Sequence, residues 1–230
     1  MMNYNVFLKA VVLLGPMYFA QHHFELKDAS EKYNVSINVE TCEKDECQGK
    51  ATIELIDKAT SRKFQTLTSN NLNFYLKEDQ KPTANIIQLY DEQSPLIFDD
   101  FNFDGSQDVA IRNGNESGYG GPSYDVYVFN STKKQFVKSE ELTNLAYENL
   151  GMFQTDPERK RLITYAKSGC CWHITTEYAV VPKKGLLKVY EMEEDATGGD
   201  ETVKVTKREL KNNKWVATTT KYPIKEYYKE

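Results

Sequence analysis

Eleven short segments with alternating or clustered apolar residues, among them NIIQLY (85–90), follow one another between residues 35 and 192. This succession constrains the fold more than any other feature of the chain. The segments recur about every ten residues, and turns rich in Gly, Asn, Asp, Pro or Lys separate them. Such spacing is typical of antiparallel sheets rather than of alternating strands and helices. The sequence therefore predicts an all-β chain, arranged as a propeller-like or sandwich array of antiparallel sheets.

One segment has helical character instead. Residues 139–151 read SEELTNLAYENLG, with Ser139 in the position of a helix cap and Gly151 in the position of a stop. Leu142, Leu145 and Tyr147 lie near helical spacing. We expect at most one short helix in the fold.

The two ends of the chain differ in composition from its middle. Residues 1–20 contain one Lys and an apolar run from Ala10 to Ala20, the pattern of a secretory signal peptide. A short buried N-terminal element is the alternative. The apolar run is too short to span a membrane, because a spanning helix takes about 20 residues. No Cys follows it to accept a lipid. We expect a main domain at 21–192, followed at 193–230 by an acidic linker and a C-terminal hairpin docked on that domain.

The charge balance excludes one class of partner. A formal charge of −5 and a pI near 5.4 argue against binding to nucleic acid, which requires a basic face. The same charge is compatible with a basic protein partner, because opposite charges accelerate encounter.

Four cysteines fit an exported protein. Cys42 and Cys47 bracket EKDE, and Cys170 and Cys171 are adjacent in SGCCWH. An even number of cysteines in an exported protein indicates disulfides. Four cysteines allow three connectivities, and the one that joins the local pairs 42–47 and 170–171 needs the fewest assumptions. A zinc site with His173 is the alternative, but the spacing of the cysteines does not fit a structural zinc site.

The stretch DDFNFDGSQD (99–108) has the spacing of a calcium loop. Counted from Asp100, oxygen donors stand at positions 1, 3, 5 and 9 and Gly105 stands at position 6, where such loops turn sharply. Position 12 is Arg112 rather than the Glu of an EF-hand, and the flanks have strand character. The pattern therefore predicts a strand–loop–strand Ca²⁺ site, with Mg²⁺ less suitable because it demands stricter geometry. The predicted ligands are Asp100, Asn102, Asp104, Ser106 through its carbonyl, and Asp108.

A glycine-rich loop follows, in ESGYGGPSYDVYVF (116–129). It lacks the G-K-[ST] of a phosphate-binding loop, and Pro122 removes an amide that a phosphate would need. A hairpin connection is one interpretation. The other is a recognition loop that enters a cleft, because Tyr combines a large apolar area with a hydroxyl group. The predicted contact residues are Ser117, Gly118, Tyr119, Gly120, Gly121, Ser123 and Tyr124.

Residues 95–192, with the runs FDDFNFDGSQDVAIRNGNESGYGGPSYDVYVFN and SGCCWHITTEYAVV, resemble a family of bacterial periplasmic immunity proteins. Members of this family protect a cell against peptidoglycan-degrading effectors of type IV or type VI secretion systems. The resemblance implies a propeller-like all-β fold, a bound Ca²⁺ and a loop similar to the S-G-x-x-Y motif of periplasmic lysozyme inhibitors. Ser117 and Gly118 match the start of that motif, whereas Gly121 stands where its Tyr is expected and Tyr124 follows three residues later.

These observations predict a periplasmic immunity protein that binds and inhibits a lysozyme-like effector. The alternative is a calcium-stabilised carbohydrate- or surface-binding module without inhibitory activity. Catalysis is not expected, because His22 and His23 lie in the polar lead-in and His173 lies beside the cysteines. Carboxylate pairs such as Asp99 and Asp100 suit a glycosidase, but the Ca²⁺ loop already accounts for them.

Overall fold

The computed structural model describes residues 22–182 and 184–228, and it consists mainly of antiparallel strands. The predicted signal peptide, residues 1–20, lies outside the described residues. The strands form three sheets that follow one another along the chain, each with its strands in consecutive order. The prediction of an all-β fold is confirmed. No helix among the described residues is both long enough and apolar enough to cross a membrane.

The three sheets contain four, four and six strands. Two short helices, α1 (Glu140–Tyr147) and α2 (Ile224–Tyr227), and one 3-10 turn complete the described part of the fold. The first sheet comprises β1 (His22–Leu26), β2 (Tyr33–Glu43), β3 (Glu46–Asp57) and β4 (Lys63–Tyr75). The second comprises β5 (Leu96–Asp99), β6 (Asp108–Arg112), β7 (Tyr124–Asn130) and β8 (Gln135–Lys138). The third comprises β9 (Gln154–Asp156), β10 (Arg161–Ser168), β11 (Trp172–Val181), β12 (Gly185–Asp195), β13 (Thr202–Lys211) and β14 (Lys214–Pro223).

The second sheet is buried on both faces. Leu96 and Val109 belong to a core shared with the first sheet, whereas Ile97 and Ala110 belong to a second core on the opposite face. Alternate residues of a strand point to opposite faces. This double burial explains why β5 and β6 have continuous apolar sequences, and it fixes the loop between them in position.

Helix α1 (Glu140–Tyr147) covers the second core. The Ser139 hydroxyl accepts a hydrogen bond from the Leu142 amide, and Glu140 and Glu141 occupy the first turn, where carboxylates interact favourably with the helix dipole. The helix buries Leu142, Thr143, Leu145 and Ala146. The predicted cap is confirmed, although the helix ends at Tyr147, before Gly151.

The C-terminal hairpin extends the third sheet, because β13 pairs with β12 over Tyr190–Asp195. Strand β12 continues through Asp195, so the linker expected to begin at residue 193 is only the short connection 196–201. Helix α2 (Ile224–Tyr227) follows β14.

Both local disulfides are present. Cys42–Cys47 joins β2 to β3, and Cys170–Cys171 lies in the turn between β10 and β11. None of the four cysteines is free, which excludes the zinc alternative.

Candidate functional site

The loop between β5 and β6 arranges backbone amides around its own side-chain oxygens. The Asp100 carboxylate accepts hydrogen bonds from the amides of Asp104 and Gly105, at 3.0 and 2.8 Å. The Asn102 side-chain oxygen accepts from the Asp104 amide at 3.0 Å, and Asp104 accepts from the Ser106 amide at 2.8 Å. Gly105 has a φ of +86°, which the sharp turn requires and which glycine adopts without strain.

Asp108 closes this loop from inside the protein. Its side chain is fully buried, and its two oxygens accept hydrogen bonds from the amides of Phe101 and Phe129, at 3.0 and 2.8 Å. Burial raises the pKa of Asp108 to about 7; the two hydrogen bonds oppose this effect, and the nearby charges of Asp104 and Asp100 add to it. In the described part of the chain, no Lys, Arg or His side chain pairs with this carboxylate.

The donor set of this loop suits a hard cation. Carboxylate, amide and carbonyl oxygens are the ligands that Ca²⁺ prefers, and β5 and β6 flank the loop as strands, as predicted. Within residues 22–182 and 184–228, no three His, Cys, Asp or Glu side chains are grouped as metal ligands. An ion held here would therefore also need Asn102, main-chain oxygens and water. Calcium binding stays a prediction.

The glycine-rich loop is packed rather than free. Gly118–Gly120 forms a 3-10 turn, and the Gly118 amide donates to the Asn149 carbonyl at 2.8 Å. A Cβ at Gly118 would lie 3.1 Å from that carbonyl oxygen, and a Cβ at Gly121 would lie 2.9 Å from the Ser117 Oγ. These close approaches favour glycine at both positions, and the Gly118–Asn149 hydrogen bond holds the turn against the segment that follows α1.

Three residues of the predicted contact set face inwards. Tyr124 is fully buried, and its hydroxyl donates to the Ser94 carbonyl at 2.8 Å. Ser123 is also buried and donates to the Asn113 carbonyl at 2.8 Å, and Ser117 is buried with it. The expectation that Tyr124, Ser117 and Ser123 contact a partner directly is therefore corrected: these residues hold the loop in place.

Tyr119 remains at the tip of the loop, with 65% of its surface exposed. Its φ is +59°, which is unusual for a bulky residue. The Lys167 ammonium lies 4.7 Å from the centre of its ring and 4.8 Å from that of Tyr90, which is 61% exposed. The Gly169 amide donates to the Tyr119 hydroxyl at 2.5 Å. We call Tyr90, Tyr119, Lys167 and Gly169 the Tyr119 surface.

The Tyr119 surface combines three segments that are distant in sequence. Sequence reasoning found only Tyr119, because Tyr90 lies in a segment predicted to be a strand and Lys167 carries no motif of its own. The disulfide turn of Cys170 and Cys171 directly follows Gly169. Glu194 borders the surface. The pKa of Tyr90 is raised mainly by burial, and also by the nearby charges of Glu194 and Tyr119.

The three histidines fall into two separate groups. His22 and His23 are exposed residues of β1, so they are not in an irregular lead-in as expected. His173 lies on β11, where it pairs in register with Glu194 of β12. The two groups therefore belong to different sheets.

Comparison with known proteins shows a fold that is already represented among solved structures. One solved structure, described as that of a Xanthomonas type IV secretion system related protein, is similar with a TM-score of 0.62. The similarity covers 87% of this chain and 98% of that chain. The sequences are 20% identical. At this identity the likeness shows a shared fold. No family model and no curated protein matches the chain.

Proposed function

We propose that this chain is a periplasmic immunity protein that binds a secreted peptidoglycan hydrolase and blocks it with the Tyr119 surface. The observation that carries the proposal is an exposed Tyr on a packed, glycine-dependent turn, with a Lys held between two Tyr rings. The resemblance of residues 95–192 to immunity proteins supports it. The secretion-system description of the structurally similar protein, which shares the fold, agrees with the same context.

The chemistry of the surface suits the cleft of a glycoside-cleaving hydrolase. Such clefts carry a pair of carboxyl groups that flank the scissile bond. The Lys167 ammonium supplies the opposite charge, and Tyr119 and Tyr90 supply the flat apolar area typical of binding hot spots. Because packing and the hydrogen bond to Asn149 order the turn before binding, little conformational entropy is lost in the complex. The chain would act as a binder and would catalyse no step.

The proposal includes Ca²⁺ in the loop 100–108, held by Asp100, Asn102, Asp104 and Asp108 and by the Ser106 carbonyl. A cation there would supply the positive charge that the buried Asp108 carboxylate lacks among the described side chains. Its role would be structural. The loop leads into β6, and β6 leads into the segment that carries Tyr119.

The two disulfides fit an oxidising compartment, in agreement with the proposed periplasmic location. The test begins with a pull-down from envelope extract, with mass spectrometry to identify the captured protein. We expect a peptidoglycan hydrolase whose activity on cell-wall sacculi ends at an equimolar ratio of the chain.

The second candidate is a Ca²⁺-stabilised carbohydrate- or surface-binding module. Exposed Tyr90 and Tyr119 favour it, because aromatic rings present apolar area that also packs against sugars. Co-sedimentation with purified sacculi separates the two functions. Binding to sacculi without inhibition of any captured hydrolase would support this module and contradict the immunity proposal.

A further inference from the structure

Strand β14 (Lys214–Pro223) is one of the two edge strands of the third sheet, and all ten of its residues are exposed. It pairs with β13 in an uninterrupted antiparallel register from Lys211↔Lys214 to Thr202↔Pro223. Among the residues that the structure describes, no second strand pairs with β14. Its outer edge therefore presents a regular row of backbone donors and acceptors.

Several devices that commonly block such an edge are absent from β14. Native sheets protect their edges with bulges, prolines, short strands or a covering element. Irregular register interrupts β2–β3, β3–β4 and β11–β12 but not β13–β14, and the proline of β14 stands only at its last position, Pro223. Apart from Pro223 at its end, lysine is the one protective residue type that β14 carries. The strand also exposes Trp215, Val216 and Tyr222 at 46%, 49% and 39%.

The charge of this hairpin is opposite to that of the chain. Residues 202–223 contain six basic residues and one acidic residue, whereas the whole chain has a formal charge of −5. Lys204, Lys207 and Lys214 form no ion pair with any described residue. Two copies of β14 brought edge to edge would place lysines near lysines. The charge therefore favours an acidic occupant over a second copy.

We propose that the free edge of β14 binds an extended acidic segment of another protein as an added strand. In this mode of recognition, main-chain hydrogen bonds give affinity and alternate side chains give specificity. Carboxylates of the added strand would lie on the face of β14 that carries Lys214, with Lys207 of β13 one strand further in on the same face, and its apolar residues would contact Trp215 on the opposite face. This interface shares no residue with the Tyr119 surface and does not depend on the proposed inhibition.

The test uses a synthetic ten-residue peptide of alternating Glu and Val with blocked ends, labelled for fluorescence anisotropy. We expect saturable binding to the purified chain that weakens as salt rises. The matched control is the same peptide N-methylated at every second residue, which keeps the charge but removes the donors along one edge. We expect the control to bind at least about tenfold more weakly, because strand addition needs these donors.

Protein variants test the location. The double variant Lys207→Glu with Lys214→Glu is expected to lose at least about tenfold in peptide affinity. The variant Lys133→Glu with Lys134→Glu changes the net charge equally in the exposed turn before β8 and is expected to bind normally. Circular dichroism confirms that both variants fold.

Three outcomes would overturn the proposal: equal binding of the N-methylated peptide, equal loss of affinity in both variants, or no saturable binding. A concentration-dependent dimer that excludes the peptide would assign the edge to a second copy instead.

Discussion

At the scale of single residues, Tyr119 is the side chain on which the proposed inhibition most depends. Removing a central Tyr from an interface typically costs about 2 kcal/mol or more. We therefore expect Tyr119→Ala to weaken binding to the captured hydrolase about 30-fold or more, without changing the melting temperature by more than about 2 °C. Isothermal titration calorimetry and thermal denaturation measure the two quantities.

The matched control is Trp215→Ala, which removes an exposed aromatic side chain from β14 and should leave inhibition unchanged. Lys167→Met is informative beside it, because it keeps a long side chain against the rings of Tyr90 and Tyr119 but removes the charge. If Tyr119→Ala inhibits as well as the unmodified chain, the contact surface lies elsewhere.

The sequence identified the loop that carries Tyr119 but not which of its tyrosines is exposed. Tyr124 begins β7, and its orientation is decided by the second core, where it packs with Ile97, Ala110 and Val126. Which face of a strand is buried depends on the strands it pairs with, and these can be distant in sequence. Lys167 could not be predicted at all, since β10 brings it to Tyr119 from 48 positions further along the chain.

At the scale of elements, the loop between β5 and β6 leads to a test of Ca²⁺ binding. A ligand that binds only the native state stabilises it by RT ln(1 + [L]/Kd), about 2.7 kcal/mol at a hundredfold excess over Kd. For a chain of this size, that corresponds to a rise of about 5–10 °C in melting temperature. We expect Ca²⁺ to produce this rise relative to EDTA, as measured by differential scanning calorimetry.

Asp104→Asn should abolish the Ca²⁺-dependent rise, because it removes a charged ligand while the amide oxygen still accepts from the Ser106 amide. The control Asp28→Asn changes an exposed carboxylate with no hydrogen bond among the described residues. Identical melting of the unmodified chain in Ca²⁺ and in EDTA would contradict the site.

Most strands were predictable because their apolar residues alternate or cluster between strong turn signals. The exceptions have physical reasons. Residues 85–90 were expected to form a strand, but Asn85 and Tyr90 both have positive φ, and the segment makes only an isolated bridge from Ile87 to Gln93. The first half of β4, KFQTLTSN, is largely polar, and β9 has three residues, so neither gave a clear pattern.

At the scale of the whole molecule, the distribution of charge predicts how the proposed complex forms. The hairpin 202–223 is basic, so the rest of the chain is more acidic than its formal charge of −5 indicates. Opposite net charges accelerate the encounter of two proteins. Salt shortens the distance over which these charges attract one another, from about 10 Å at 0.1 M to about 3 Å at 1 M. If the captured hydrolase is basic, its association rate constant should fall about tenfold or more between about 0.05 and 0.5 M NaCl. The dissociation rate constant should change much less, since it depends on close contacts such as those of Tyr119. Stopped-flow fluorescence measures both constants.

Two results would contradict this prediction. If the association rate constant does not change with salt, the acidic body does not guide the encounter. If the association rate constant rises with salt, the two interacting surfaces carry like charges.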